Sequence, residues 1–127
     1  MSENLWAFDQ LVRRSIDTGL QSASNERQDA NPDYMIDVQL DRSPARRLCL
    51  LTIKNRLPTK PLLAGSCEVS AGPGDTVLIS RSYLWTNNGV PFDVRPLQAA
   101  EISEAGIKWL ALDFIDSFFR EVQRLAE

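Results

Sequence analysis

The chain has 127 residues, a hydrophobic content of 43% and a formal net charge of −3. These values are typical of one folded domain with its own core, and they exclude a disordered or membrane-embedded chain. The sequence contains no histidine, which excludes Ser-His-Asp, Cys-His and zinc-hydrolase sites, since each of them needs an imidazole. Only carboxylate, lysine and tyrosine side chains remain for catalysis, so we expect no enzyme, no metal and no cofactor.

The N-terminal sequence predicts a cytoplasmic protein. Residues 1–6 lack the basic region and apolar run of a signal peptide, and no stretch approaches the roughly 20 apolar residues of a membrane-spanning helix. A protein whose signal peptide had been removed would show the same N-terminal sequence. The mild acidity disfavours nucleic acid as a partner. Cys49 and Cys67 are too few for a disulfide framework and are expected to be buried thiols.

The first predicted element is an amphipathic helix over residues 1–22, with Ser2 as its cap. Its apolar residues recur at spacings of three and four: Leu5, Phe8, Val12, Ile16 and Leu20. Gly19 is expected to weaken the last turn. Residues 21–32 are polar and contain almost no large apolar side chain, which predicts a loop.

The middle of the chain predicts a sheet, because the period of its apolar residues changes to two or its apolar residues run continuously. Five strands are predicted, with turn residues between them: residues 34–41, 48–53, 63–69, 77–85 and 90–94. Asn88-Gly89 fits a type I′ hairpin turn. Pro91 cannot donate a ladder hydrogen bond, which places the last strand at an edge of the sheet. We therefore predict an antiparallel, meander-like sheet between residues 33 and 95.

The last predicted element is a helix over residues 102–126. Its main apolar face follows helical spacing: Ile107, Leu110, Ala111, Phe114, Phe118, Val122 and Leu125. The predicted fold class is α+β, with an N-terminal and a C-terminal amphipathic helix packed on one face of the sheet, in a single domain over residues 1–127.

The apolar arc of the last helix is wider than one sheet requires. Leu112, Ile115 and Phe119 extend it to about 200°, while Trp109 lies on the polar side of the helix. Trp6 likewise lies off the main stripe of the first helix. Burial under the N-terminal helix is one explanation of this surplus. If these five side chains are exposed, they form a surface for another protein or for a second copy of the chain, since such residues are typical of interfaces.

A group of basic residues is the second candidate contact. Six of the 14 basic residues lie between residues 42 and 60, where no acidic residue occurs: Arg42, Arg46, Arg47, Lys54, Arg56 and Lys60. They are candidates for contact with phosphate, nucleic acid or an acidic protein surface. The strand at 48–53 spans about 20 Å and separates them into two groups of three. Two solvated turns are therefore the alternative.

Two pairs of carboxylates are candidates for acid–base chemistry. Asp37 and Asp41 share one face of a predicted strand, and Asp113 and Asp116 lie one turn apart on the last helix. Such a pair needs burial to separate the pKa values of its two members. A solvent-facing position is the alternative for both pairs.

Two sets of residues are candidates for lining a ligand cleft. Three polar residues in mid-strand would line a small cleft or lie on an outward sheet face: Ser80, Arg81 and Ser82. Three aromatic residues would enclose an apolar ligand between the sheet and the last helix: Tyr83, Trp85 and Phe114.

The outline of the chain is similar to that of two known groups of proteins. Terminal helices around a small sheet resemble the class I chaperones of type III secretion, although those proteins have a helix between their third and fourth strands, where residues 72–75 predict only a turn. The element order also resembles the periplasmic auxiliary domain of ABC-type lipid transport systems, although the lipoprotein signal and its cysteine are missing. Neither resemblance includes a shared motif, so no family is assigned.

The preferred function is a non-enzymatic protein-binding module of the secretion-chaperone, adaptor or immunity-protein type. The alternatives are a carrier of a small apolar ligand and an auxiliary, lipid-transport-like periplasmic domain that has lost its signal. An enzyme that uses tyrosine or carboxylate groups is the third class and the least favoured.

Overall fold

The computed structural model describes residues 10, 15–41, 48–56, 62–86 and 89–126. Its elements follow in chain order: helix α1 (Asp17–Gln28), strands β1 (Tyr34–Asp41), β2 (Leu48–Asn55), β3 (Ala64–Ala71), β4 (Thr76–Tyr83) and β5 (Asp93–Gln98), a 3₁₀ turn (Ala99–Glu101) and helix α2 (Glu104–Ala126).

The five strands form one open antiparallel sheet in the order β1-β2-β3-β4-β5. Each strand pairs with the next one along the chain, so the sheet is a meander. The predicted α+β fold, with a helix at each end of a five-stranded sheet, is confirmed. None of the described helices is long and apolar enough to cross a membrane.

The alternation of side chains along the strands creates two unlike faces, because successive residues point to opposite sides of a sheet. The inner face, against which the helices pack, carries buried apolar residues of β1 to β4: Ile36, Leu51, Ile53, Val69 and Ile79. The helices add Leu20, Ile107 and Phe118 to the same core. The outer face carries mostly polar side chains.

The prediction of a loop over residues 21–32 is wrong for residues 21–28, because α1 continues to Gln28. Polar composition is misleading here, because these side chains find partners in other elements. Ser24 Oγ donates to the carbonyl oxygen of Ile36 at 2.9 Å. Arg27 binds both carboxylate oxygens of Asp116, at 2.9 and 3.1 Å. Tertiary contacts therefore extend the helix beyond the end that composition predicts. The start of the predicted helix, over residues 1–9 and 11–14, lies outside the described residues.

Gln28 occupies the free edge of β1 as a neighbouring strand would. Its Oε1 accepts from the backbone N–H of Ile36 at 2.9 Å, and its Nε2 donates to the carbonyl oxygen of Tyr34 at 2.7 Å. An edge strand whose backbone groups stay unpaired is a template for unwanted pairing with another chain. One side-chain amide of α1 therefore satisfies the backbone groups at the start of this edge.

The last strand lies at the opposite edge, as predicted, but it covers different residues. The sequence places it at residues 90–94, whereas β5 is Asp93–Gln98 and Pro91 precedes it. The proline within β5 is Pro96. The N–H of Ala99 donates to Asp75 O at 2.7 Å, and the alternation of ladder bonds from this point turns the nitrogen of Pro96 away from β4. An edge strand tolerates proline in that orientation.

Gly19 lies within α1, not in its last turn, and allows α1 and α2 to approach closely. A Cβ atom at this position would lie 2.8 Å from Glu104 O and 2.9 Å from Ile107 Cβ. We expect Gly19→Ala to lower the free energy of unfolding by about 1–2 kcal/mol in urea denaturation, because the steric strain outweighs the better helix propensity of alanine. Thr18→Ala, at the exposed neighbouring position, should change it by less than about 0.5 kcal/mol. A stabilising effect of Gly19→Ala would contradict the close helix contact.

Candidate functional site

Arg81 is the centre of an ion cluster on the inner face of the sheet. Its guanidinium bonds Asp93 on β5 through Nε at 3.0 Å and also through Nη2, and it bonds Asp113 on α2 through Nη1 at 3.1 Å. Arg95 adds a longer contact to Asp93, at 3.4 Å. Burial alone would lower the pKa of Arg81, but Asp93 and Asp113 outweigh it and raise that pKa. The cluster ties β4, β5 and α2 together.

Two exposed aromatic residues adjoin this cluster. The guanidinium carbon of Arg81 lies 5.7 Å from the centre of the Phe92 ring, within cation–π range. Trp109 lies one helical turn before Asp113, on the same side of α2. Its side chain is 63% exposed and that of Phe92 is 44% exposed. We name Trp109, Phe92, Arg81, Asp93 and Asp113 the Trp109–Phe92 surface.

Some of the exposed apolar residues of the structure lie at or near this surface. The structure has seven large apolar side chains exposed among the described residues: Leu62, Leu84, Val90, Phe92, Val94, Trp109 and Leu125. Val90 and Phe92 lie in the segment that leads into β5, and Trp109 lies on α2. Leu84 and Val94 belong to the outer face of the sheet, where Val94 is opposite Ser80. Single exposed apolar residues are ordinary, whereas a group of them marks an interaction surface.

The structure divides the partner residues that the sequence predicts. Trp109 is exposed, but Ile115 is fully buried in the core, so its place in a partner surface is wrong. Leu112 and Phe119 are partly buried against that core, and the Phe119 ring contacts Tyr34 edge to face with centroids 4.9 Å apart. Trp6 lies outside the described residues.

The wide apolar arc of α2 therefore has a simple cause. α2 packs against α1 as well as against the sheet, so two of its sides are covered. Two ion pairs hold the helices together, Arg27 with Asp116 and Lys108 with Glu26. Burial under the N-terminal helix, one of the two explanations that the sequence allows, therefore accounts for much of this arc.

Only two of the six predicted basic contacts are described. Lys54 is exposed on the outer face of β2, and Arg56 is exposed just beyond the end of that strand, where its Nε donates to Tyr34 O at 3.1 Å. The other four lie outside the described residues: Arg42, Arg46, Arg47 and Lys60.

The described residues test one of the two predicted carboxylate pairs, Asp113 with Asp116. Asp113 binds Arg81 and Asp116 binds Arg27, so the two members of this pair serve different ion pairs. Asp37 is exposed on the outer face. The Asp41 side chain lies outside the described residues, so the Asp37–Asp41 pair stays a prediction.

The aromatic residues that would enclose an apolar ligand contact one another instead. Tyr83 stacks on Trp85 with ring centroids 5.0 Å apart, and its ring centre lies 6.1 Å from that of Phe114. Tyr83 and Phe114 are both buried. These rings fill the space that a ligand between them would need.

A separate groove of about 500 Å³ crosses the outer face of the sheet. We name it the outer-face groove, and its lining includes Asp37, Thr52, Lys54, Ser66, Ser82 and Leu84. Of the three mid-strand residues that the sequence assigns to a cleft, Ser82 lines the groove and Ser80 shares its face of the sheet. Arg81 points to the opposite face, as the alternation along β4 requires.

Both cysteines are buried thiols that form no disulfide with each other, as predicted. Burial raises the pKa of the Cys67 thiol to about 12, so almost no reactive thiolate forms near neutral pH. We expect the folded protein to react with a maleimide at about pH 8 at least 100-fold more slowly at Cys67 than the urea-unfolded protein does, measured by mass spectrometry. Equal rates in the two states would contradict the burial of this thiol.

The ion cluster of Arg81 and the position of Phe92 beside it were not predicted from the sequence. A lone arginine at an inward position of a strand is a usable signal, because a buried guanidinium needs carboxylate partners. The partners of Arg81 are Asp93 and Asp113, which lie 12 and 32 residues further along the chain. A single sequence does not show that such distant residues meet in the fold. Phe92 follows Pro91 in a segment that the pattern assigned to a strand, so its position beside Arg81 had no local signal.

No protein-family model matches the chain, and neither the curated proteins nor the solved structures contain a significant match.

Proposed function

We infer that this protein is a non-enzymatic protein-binding module of the adaptor, chaperone or immunity-protein type, and that its partner binds the Trp109–Phe92 surface. The exposure of Trp109, at 63%, beside the cluster of Arg81 and the half-exposed Phe92 carries this proposal. An exposed tryptophan does not contribute the hydrophobic free energy that burial of its large ring would provide, and a partner that covers the ring would provide it. Tryptophan, tyrosine and arginine are also the residues that contribute most at protein interfaces.

The charges of this surface suit a protein partner. The described ion pairs of Arg81 satisfy its guanidinium, and Arg95 and Asp93 extend the polar rim around the two aromatic residues. An apolar centre with a polar rim is the usual anatomy of an interface. The partner is another protein, or a second copy of the chain if light scattering shows a dimer.

Affinity purification from the native host tests this proposal when three baits are compared. The wild-type chain and Leu125→Asp should retain the same specific protein, since Leu125 is an exposed apolar residue near the far end of α2. Trp109→Asp should lose that protein at least tenfold, because a carboxylate replaces the central apolar group. A protein retained equally by all three baits, with a monomer in light scattering, would contradict the proposal.

A further inference from the structure

The outer-face groove is independent of the Trp109–Phe92 surface, because it lies on the face of the sheet that the helices do not cover. Its volume of about 500 Å³ falls within the range of sites that hold small molecules. Strands β1 to β4 all contribute to it, so the sheet fixes its geometry.

The groove contains two charged groups of opposite sign. Asp37 lies on β1 and Lys54 on β2, and both are exposed. Neither has an ion pair or side-chain hydrogen bond with another residue among those the structure describes. Asp37 is directly opposite Thr52, and Lys54 is opposite Met35, so the two charges are diagonal neighbours with Cα atoms about 7–8 Å apart.

A row of hydroxyl groups crosses the groove beside Asp37. The register pairs Asp37 with Thr52, Thr52 with Ser66, and Ser66 with Ser82. The hydroxyls of Ser66 and Ser82 bond to each other at 2.9 Å. Only one of these two serines donates in that bond, so the other keeps a proton for a ligand.

Apolar groups complete the lining. Leu84 lies beside Ala64, to whose carbonyl oxygen its backbone N–H donates at 2.8 Å. Leu50 lines the groove beyond the hydroxyl row. A pocket with apolar walls and a few convergent polar groups is the usual form of a small-molecule site.

We propose that the outer-face groove binds a peptide of about two residues with free amino and carboxyl ends and an apolar side chain. The ammonium group binds Asp37, the carboxylate binds Lys54, the hydroxyl row bonds the peptide amide, and Leu84 contacts the side chain. A ligand that satisfies both unpaired charges must carry both signs. Extended residues span about 3.3–3.6 Å each, so the two charged ends of a dipeptide lie about 6–7 Å apart, and the flexible stem of Lys54 lets its ammonium group adjust to that span.

Titration of the full chain with glycyl-leucine, followed by calorimetry and backbone amide shifts, tests this proposal. Asp37→Asn and Lys54→Gln should each weaken binding at least tenfold. Two matched controls outside the groove, Asp75→Asn and Arg120→Gln, should leave it unchanged. N-acetyl-glycyl-leucine should bind the wild type as weakly as glycyl-leucine binds Asp37→Asn, and it should lose nothing further on that variant, because its amine charge is already removed.

Three results would overturn the proposal. They are the lack of any heat or amide shift at millimolar glycyl-leucine, equal binding of the acetylated and free dipeptides, and binding of free leucine as tight as that of the dipeptide. Trp109→Asp should still bind glycyl-leucine like the wild type, so loss of the protein partner and loss of the peptide can be told apart.

Discussion

Phe118→Ala is expected to lower the free energy of unfolding by about 3–5 kcal/mol, the largest loss that we expect from one substitution. The Phe118 ring is fully buried and contacts four aromatic rings: Tyr34, Tyr83, Trp85 and Phe119. It also lies against Gly65, where a Cβ atom would be 3.0 Å from its ring. Alanine would leave a cavity among these rings that rigid neighbours fill only in part.

Urea denaturation followed by tryptophan fluorescence measures this loss. Phe92→Ala is the matched control, because the same change at a half-exposed ring leaves no enclosed cavity and should cost clearly less. Phe118→Leu should also cost less than Phe118→Ala, since it keeps most of the volume. If Phe118→Ala cost no more than Phe92→Ala, the aromatic cluster would not be the centre of the core.

Arg81→Ala is expected to lower the free energy of unfolding by about 2–3 kcal/mol, because it leaves the carboxylates of Asp93 and Asp113 close together with only the longer contact of Arg95 to Asp93. The Arg81 side chain is 20% exposed, so the loss should stay below that of a fully buried pair. Restoring neutrality with Asp113→Asn in the Arg81→Ala background should recover part of it, since the repulsion between the two carboxylates disappears.

Arg124→Ala is the matched control for this prediction. Arg124 pairs with Glu121 at 2.9 Å, but its side chain is 74% exposed, and exposed pairs contribute about 0–0.5 kcal/mol. Equal losses for the two arginine variants in the same urea titrations would show that the Arg81 cluster does not hold β5 and α2 to the sheet.

The sequence predicts the sheet well because period-two alternation is a local signal. The strand at residues 34–41 agrees with β1, and the apolar run at 48–53 agrees with the core of β2. The terminal helix is also predicted closely, since its apolar face repeats over 23 residues. These elements carry their own pattern and need little tertiary help.

The errors lie where long-range contacts decide the structure. Residues 21–28 were predicted as a loop but are helical. Ser24 bonds to β1 and Arg27 bonds to α2, and these contacts stabilise the helix. Ile115 was a candidate partner residue, with burial under the N-terminal helix as the alternative, because the pattern of one helix does not decide between the two. Of the Trp109–Phe92 surface, only Trp109 was predicted as a partner contact. Arg81 and Asp113 were candidates for a cleft and for a carboxylate pair, since the neighbours that bring them together come from separate elements.

The direct test of the protein-binding proposal is site-specific photo-crosslinking in the native host, with benzoyl-phenylalanine in place of Trp109 or, as the control, Leu125. Both residues are exposed on α2, at 63% and 54%, so they differ mainly in whether they adjoin the Arg81 cluster. We predict that position 109 crosslinks to one specific protein, or to a second copy of the chain, and that position 125 does not. The same products from both positions, or none from position 109, would contradict the proposal.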